Sequence, residues 1–229
     1  MELTAPEIAR LLNVSEKQIY RWADDGEIPT YSVAGQPRFH RDEVLEWATV
    51  RHLQVSPELF ASIGGEAVLP SLAEAIAFGG VQLDVVGADR AAVLSAAIRA
   101  LPLPEGTDRA FLEQMVLARE ASASTAIGRG LAIPHVRSPV VLAQSPALMA
   151  VCYLQQPIAY ASPDGQPVHT LFLVVSPTVR VHLQLLAKLS VALHDEQFRS
   201  AVARRADREQ LVAAATRIDA GAIEKRDAP

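Results

Sequence analysis

The sequence predicts an α/β chain, a mixed sheet flanked by helices, preceded by a small N-terminal module of short helices and a hairpin. Three observations carry that prediction. Apolar runs of strand length at 147–154 and 169–175 alternate with stretches of helical periodicity. Helix-start signals of the form Ser/Thr-x-x-Glu/Gln stand at Thr4 and Ser15, close together near the N-terminus. The run Arg119 to His135, REASASTAIGRGLAIPH, leaves a helical pattern for a turn rich in hydroxyls and glycines that ends in Pro-His. With 229 residues, half of them apolar, the chain can bury a substantial core in one large domain or two small ones.

The first module spans 1–50. Thr4-Ala5-Pro6-Glu7 is a capping box with proline in the first turn, where its missing N–H costs nothing, and the helix it opens buries Ile8, Leu11 and Leu12. After the turn at Asn13-Val14, Ser15 to Gln18 opens a second helix that points Ile19 and Trp22 inward and stops before Gly26 and Pro29. Two helices joined this tightly make a helix-turn-helix. Tyr31 to Val33 and Pro37 to Phe39 flank Ala34-Gly35-Gln36 as a hairpin or wing, and Asp42 to Thr49 reads as a third helix anchored by Val44, Leu45 and Trp47. The segment Leu3 to Ala48 resembles the DNA-binding domains of the excisionase and MerR-like winged-helix group. The resemblance implies that the second helix enters the major groove while the wing touches backbone or minor groove. Lys17, Gln18 and Arg21, opposite Ile19 and Trp22, are then the candidate groove contacts, and Arg38 and Arg41 the candidate phosphate contacts. Against this, Met1 to His52 holds six Lys or Arg and nine Asp or Glu, a net of −3. An acidic module gains little from counterion release unless dimerisation doubles its contacts, so a homodimer, or a helix-turn-helix kept for docking, stands beside DNA binding.

Residues 51–70, with Pro57, Gly64, Gly65 and Pro70 and no sustained periodicity, read as a linker in which Pro57 to Phe60 forms a helical turn. The main domain, 71–217, shows helices over Leu72 to Phe78, Arg90 to Leu101, Asp108 to Arg119, His182 to Leu193 and Asp195 to Arg205, with strands over Ala147 to Leu154 and His169 to Val175. The 218–229 segment reads as a tail, polar and disordered over Gly221 to Pro229.

In the 119–135 run, the glycines Gly128 and Gly130 suggest backbone amides approaching an anion, and a histidine after proline suggests a ring presented and not packed. The ordered spacing Arg-Glu-x-x-x-Ser-Thr-x-Ile-Gly-x-Gly-x-Ala-Ile-Pro-His resembles the active-site motif of phosphotransferase-system enzyme IIA domains of the fructose, mannitol and nitrogen-regulatory class. His182-Leu183, opening the helix after the 169–175 strand, matches that family's second histidine. The resemblance covers roughly Leu72 to Thr216 and implies about five strands flanked by helices. It implies His135 as acceptor of a phosphoryl group from a histidine-containing phosphocarrier protein, with His182 and Arg119 as the other catalytic groups and Ser124 and Thr125 as phosphoryl-binding hydroxyls. It implies no cofactor and no metal. The IIB component or a regulatory target protein is the further partner it implies.

Composition narrows the setting. No run of about twenty apolar residues occurs, which predicts a cytoplasmic protein without membrane insertion. Cys152, the single cysteine, reads as a buried strand residue and excludes an intramolecular disulfide framework. The overall charge of −5 argues against non-specific nucleic-acid binding by the whole chain. His40, His52, His169 and His194 match no motif position and read as surface or structural. A regulatory phosphocarrier, a stand-alone IIA component serving a separate IIB subunit, and a IIA-like binding fold without phosphate exchange are the functions left open.

Overall fold

The structure is a computed structural model that describes residues 2–33, 36–40, 43–44, 47–48, 51, 53, 69–136 and 146–224. They divide into two compact units, Met1–Val68 and Leu69–Pro229. Most of the linker segment, with its Pro57 to Phe60 turn, lies outside the described residues, as do His52, Arg41 and the hairpin tip.

The first unit contains β1 (Glu2–Thr4), α1 (Ala5–Leu11), α2 (Glu16–Asp24), β2 (Tyr31–Val33) and β3 (Gln36–His40). Both predicted helix starts are capped. The Glu7 carboxylate accepts from the Thr4 N–H and the Thr4 hydroxyl, each at 2.7 Å, which holds its pKa below the usual value. Ser15 Oγ accepts from the Gln18 N–H at 3.2 Å. Asn13 takes the left-handed conformation, φ 52°, that reverses the chain between the helices. The hairpin is joined by β1, giving an antiparallel sheet in the order β1-β3-β2. Ile8, Leu12, Ile19, Ile28 and Phe39 form the core, with Trp22 packed edge-on against Trp47 at 5.0 Å. Residues 43–44 and 47–48 are helical, inside the third helix expected there.

The second unit runs α3 (Leu72–Gly79), β4 (Val81–Val85), α4 (Arg90–Arg99), α5 (Arg109–Ser122), β5 (Ala126–Gly128), β6 (Leu131–Ala132), β7 (Leu148–Ile158), β8 (Val168–Val175), α6 (Val179–His194), α7 (Glu196–Ala203) and α8 (Arg208–Glu224). Its five-stranded sheet has the order β4-β7-β8-β6-β5 and is mixed, with β4 parallel to β7 and β6 parallel to β8. The central pair, β7 and β8, is antiparallel and covered on both faces, which is why its sequence is apolar without alternation. On one face Leu148, Ala150, Cys152, Leu171 and Leu173 pack against Val93, Leu94 and Ile98 of α4 and Leu112 and Val116 of α5. Burial pushes the Cys152 thiol up to about 12. Elsewhere α3 packs on β7, and α8 packs on α3.

Two features depart from the expectations. Edge strand β4 was not legible, because Asp84 breaks its pattern with φ 56° and a register shift, and ion-pairs with Arg205 at 2.7 Å. The supposed tail is helical through Glu224. Asp219 in α8 accepts from the Leu72 and Ala73 N–H groups, at 3.3 and 3.0 Å, and from Lys188 Nζ at 2.7 Å, so this segment caps the first turn of α3. Residues 225–229 lie outside the described residues.

Candidate functional site

The chain leaves β6 through Ile133 and Pro134 and stays beside β8. The Val174 N–H donates to the Pro134 carbonyl at 2.9 Å, and His135 forms a parallel bridge with Val174. β8 then ends and Thr178 starts α6, its hydroxyl accepting from the Val181 N–H at 3.2 Å. The first turn of α6 brings His182 beside His135, ring centroids 4.9 Å apart and planes tilted by 44°. Parallel pairing of β6 and β8 therefore delivers a strand-end histidine and a helix-start histidine to the same edge of the sheet.

A carbonyl oxygen can only accept. His135 Nδ1 stands 2.7 Å from the Ile133 carbonyl, so Nδ1 carries the proton and the neutral ring holds its lone pair on Nε2. Burial, then the charge of a protonated His135, then the Arg119 guanidinium hold the His182 pKa well below its usual value, so His182 is neutral near pH 7. Its Nδ1 is buried with no hydrogen-bond partner among the described residues. Arg119, in the last turn of α5, donates from Nη1 to the Ala123 carbonyl at 2.8 Å.

The sequence-predicted residues are distributed unevenly. His135, His182 and Arg119 come together, but the expectation of a presented histidine is corrected: the three are only 3, 8 and 6 % exposed. The Nδ1 bond to Ile133 turns the His135 ring inward, beside His182. Ser124 and Thr125 are nearby in sequence, yet their hydroxyl protons serve the scaffold. Ser124 donates to the Tyr160 carbonyl at 2.6 Å, and Thr125 donates to the Glu120 carboxylate. At the two glycines the anion met by a backbone amide is one of this chain's own: the Arg129 N–H donates to the Asp164 carboxylate at 2.6 Å. Gly128 and Gly130, φ 87° and 74°, make the tight turn between β5 and β6, and a Cβ on Gly130 would lie 2.3 Å from the His169 ring. Gly130 leaves room for the His169 ring, and Gly128 faces the Asp164 carboxylate.

In the first unit, Lys17 and Arg21 are exposed on α2 and Gln18 is half-buried, opposite the fully buried Ile19. Arg21 faces Asp25 at 3.6 Å. Arg38 is half-buried and donates to the Pro37 carbonyl at 3.2 Å. Tyr20, 43 % exposed, shares the face of Lys17 and was missed, although its i+3 spacing from Lys17 was readable. Glu120 was also missed: it is 3 % exposed and lies next to Arg119. Among the described residues no group of three His, Cys, Asp or Glu could hold a metal ion, and no helix is long and apolar enough to cross a membrane.

Residues 79–216 match the family model described as phosphoenolpyruvate-dependent sugar phosphotransferase system, EIIA 2. The chain belongs to this EIIA family. Residues 2–51 match a helix-turn-helix domain model. A nitrogen regulatory protein of Bradyrhizobium diazoefficiens is 34 % identical over 136 residues, 58 % of this chain and 78 % of that protein. A fructose-specific EIIABC component of Bacillus subtilis is 36 % identical over 94 residues, 40 % of this chain but only 14 % of its own length. The crystal structure of nitrogen regulatory protein IIA-Ntr from Neisseria meningitidis superposes with a TM-score of 0.52 and 26 % identity, covering 61 % of this chain and 94 % of that one. The protein is thus an EIIA phosphocarrier domain related to nitrogen regulatory proteins, joined to a helix-turn-helix domain.

Proposed function

We propose that this chain is a cytoplasmic regulatory phosphocarrier in which His135 Nε2 accepts a phosphoryl group from the histidine of a phosphocarrier protein. The helix-turn-helix unit, residues 1–50, then couples that event to DNA or to a target protein. One observation supports the reading above others: the Nδ1–H bond to the Ile133 carbonyl leaves the lone pair on Nε2, beside His182 and Arg119. In the transfer, the Nε2 lone pair forms the new P–N bond while the electron pair of the breaking P–N bond returns to the donor ring. The Nδ1 proton stays on His135, where the Ile133 carbonyl stabilises the positive character the ring acquires.

Little covalent chemistry is asked of the other groups, so positioning and charge stabilisation carry the rate. Arg119 supplies a forked cation to the phosphoryl oxygens, and a neutral His182 donates one hydrogen bond to them without repelling an incoming phosphocarrier. Ser124 and Thr125 shape the loop below the site. The phosphoryl group then brings roughly −1.5 to −2 charges, by analogy with other phosphorylated side chains, enough to change a docking surface.

The likeness to nitrogen regulatory proteins and the helix-turn-helix favour regulation. The likeness to a fructose-specific EIIABC component favours a second reading, in which His135 passes phosphate to a separate IIB subunit. The test is incubation with phosphoenolpyruvate, enzyme I and the phosphocarrier, read by intact mass. Wild type gains one acid-labile phosphoryl group and His135→Ala gains none. A wild type that stays unmodified with the native host's phosphocarrier sinks the proposal, and discharge by IIB proteins decides for the second reading.

A further inference from the structure

Glu120 is a carboxyl group almost wholly removed from water, on a helix end, in a place where an apolar side chain would be cheaper to bury. Its bonds account for its presence. One oxygen accepts from the Thr125 N–H at 3.0 Å and faces Arg90 Nη1 at 3.4 Å, while the other accepts from the Thr125 hydroxyl. Thr125 in turn accepts, through its carbonyl, the Ile133 N–H at 3.0 Å, and the Ile133 carbonyl accepts the His135 Nδ1 proton. Two residues before Thr125, the Ala123 carbonyl holds Arg119 Nη1. The loop 123–125 is therefore a node bonded to the guanidinium on one side and, through Ile133, to the imidazole on the other.

We infer that Glu120 is a positioning residue: by gripping both donors of Thr125 it registers the strand end carrying His135 against the helix end carrying Arg119, and it keeps the Ile133 carbonyl where it selects the Nδ1–H tautomer. It does not touch the phosphoryl group. Both Thr125 donors lose a matched acceptor if Glu120 is apolar, and one loses it if Glu120 is an amide, whose NH₂ cannot accept. Arg90, half-exposed on α4, balances the charge of Glu120, so the grip also ties the node to a third element. This inference rests on the phosphocarrier reading for its consequence to rate, but its geometric content is independent of it.

The experiment is ring-nitrogen NMR on full-length chain carrying ¹⁵N-histidine, with His135→Gln used to assign the His135 signals, alongside the phosphoryl-transfer time course. Wild type shows His135 with Nδ1 protonated and Nε2 carrying the lone pair. Glu120→Gln is expected to show both tautomers in exchange and to accept phosphoryl on the order of 100-fold more slowly, the penalty of a small misplacement of reacting groups. Thr125→Val, which loses only the hydroxyl donor, shifts in the same direction by less and keeps the test open if Glu120→Gln does not fold. A single wild-type tautomer with an unchanged transfer rate in the folded variants overturns the inference. A wild type with the expected tautomer that never takes phosphate refutes the phosphocarrier reading and leaves the positioning role to be judged on the variants' tautomers.

Discussion

Mild acid is expected to destabilise the EIIA unit through His182. Burial, His135 and Arg119 all push its pKa in the same direction, well below the ordinary value, and no opposing cause acts on it. The unfolded chain takes up a proton at this side chain near pH 6.5 while the folded chain does not, so unfolding becomes easier as pH falls through that point. With the folded value held down, the cost from about pH 7.5 to about pH 5.5 is on the order of 1 kcal/mol for this one histidine. The carboxylates of this unit with lowered values, Glu74, Asp164 and Asp195, contribute stability that is lost only further down, as they are protonated below their ordinary range near 4. His169 is lowered as well and adds a loss of the same sign, so the measurement has to be a difference. Tryptophan fluorescence is unsuited, since Trp22 and Trp47 both belong to the first unit. Hydrogen exchange of the β7 and β8 amides in urea reports the correct unit. His182→Gln should flatten the pH dependence by on the order of 1 kcal/mol over this range. Equal pH dependence in wild type and variant would refute the claim that His182 is held neutral by its surroundings.

Three further outcomes follow from the geometry. Asp219→Ala uncaps α3 and breaks the partly buried pair with Lys188, and should lower the stability of the same unit by roughly 2 to 3 kcal/mol; a loss below about 0.5 kcal/mol would mean the helix finds other caps. Gly130→Ala should cost about 2 kcal/mol or more in urea titration, from the left-handed backbone and the His169 ring, and adding His169→Ala should recover only the steric part. If the first unit binds DNA through α2, Lys17→Ala and Arg21→Ala should each lower the slope of log affinity against log salt by about one, measured by fluorescence anisotropy, and unchanged binding would assign α2 to something other than the duplex.

Much of this fold was legible because its signals are local. Helices α3 to α7 begin behind Ser, Asp or Thr caps that the sequence displays, and β7 and β8 are long apolar runs that a sheet covered on both faces requires. Strands β5 and β6, three and two residues long, carry too few positions for a period to show. α8 was not predicted at all and its end near Gly221 was read as a tail; its packing on α3 and the bonds of Asp219 explain why it forms there. At the site, residue types and spacing indicated His135, His182 and Arg119 as candidates. They did not reveal what Gly130 makes room for, which is His169, or what occupies the protons of Ser124 and Thr125, because those depend on partners distant in the chain or on the path of a loop.

The clasp between Asp219 and the start of α3 also sets an order in time. During synthesis the helix-turn-helix unit, built from contacts between near neighbours, has all its residues early and can fold while the rest is still being made. The EIIA unit cannot: its first helix waits for a carboxylate 146 positions later, and β4 waits for β7. Between those moments Leu72, Ala75 and Ile76, which are wholly buried in the finished protein, have no α8 to lie against. The nascent chain therefore passes through an interval in which its helix-turn-helix unit is complete and its EIIA unit is not, and in that interval apolar surface of the EIIA unit stays uncovered.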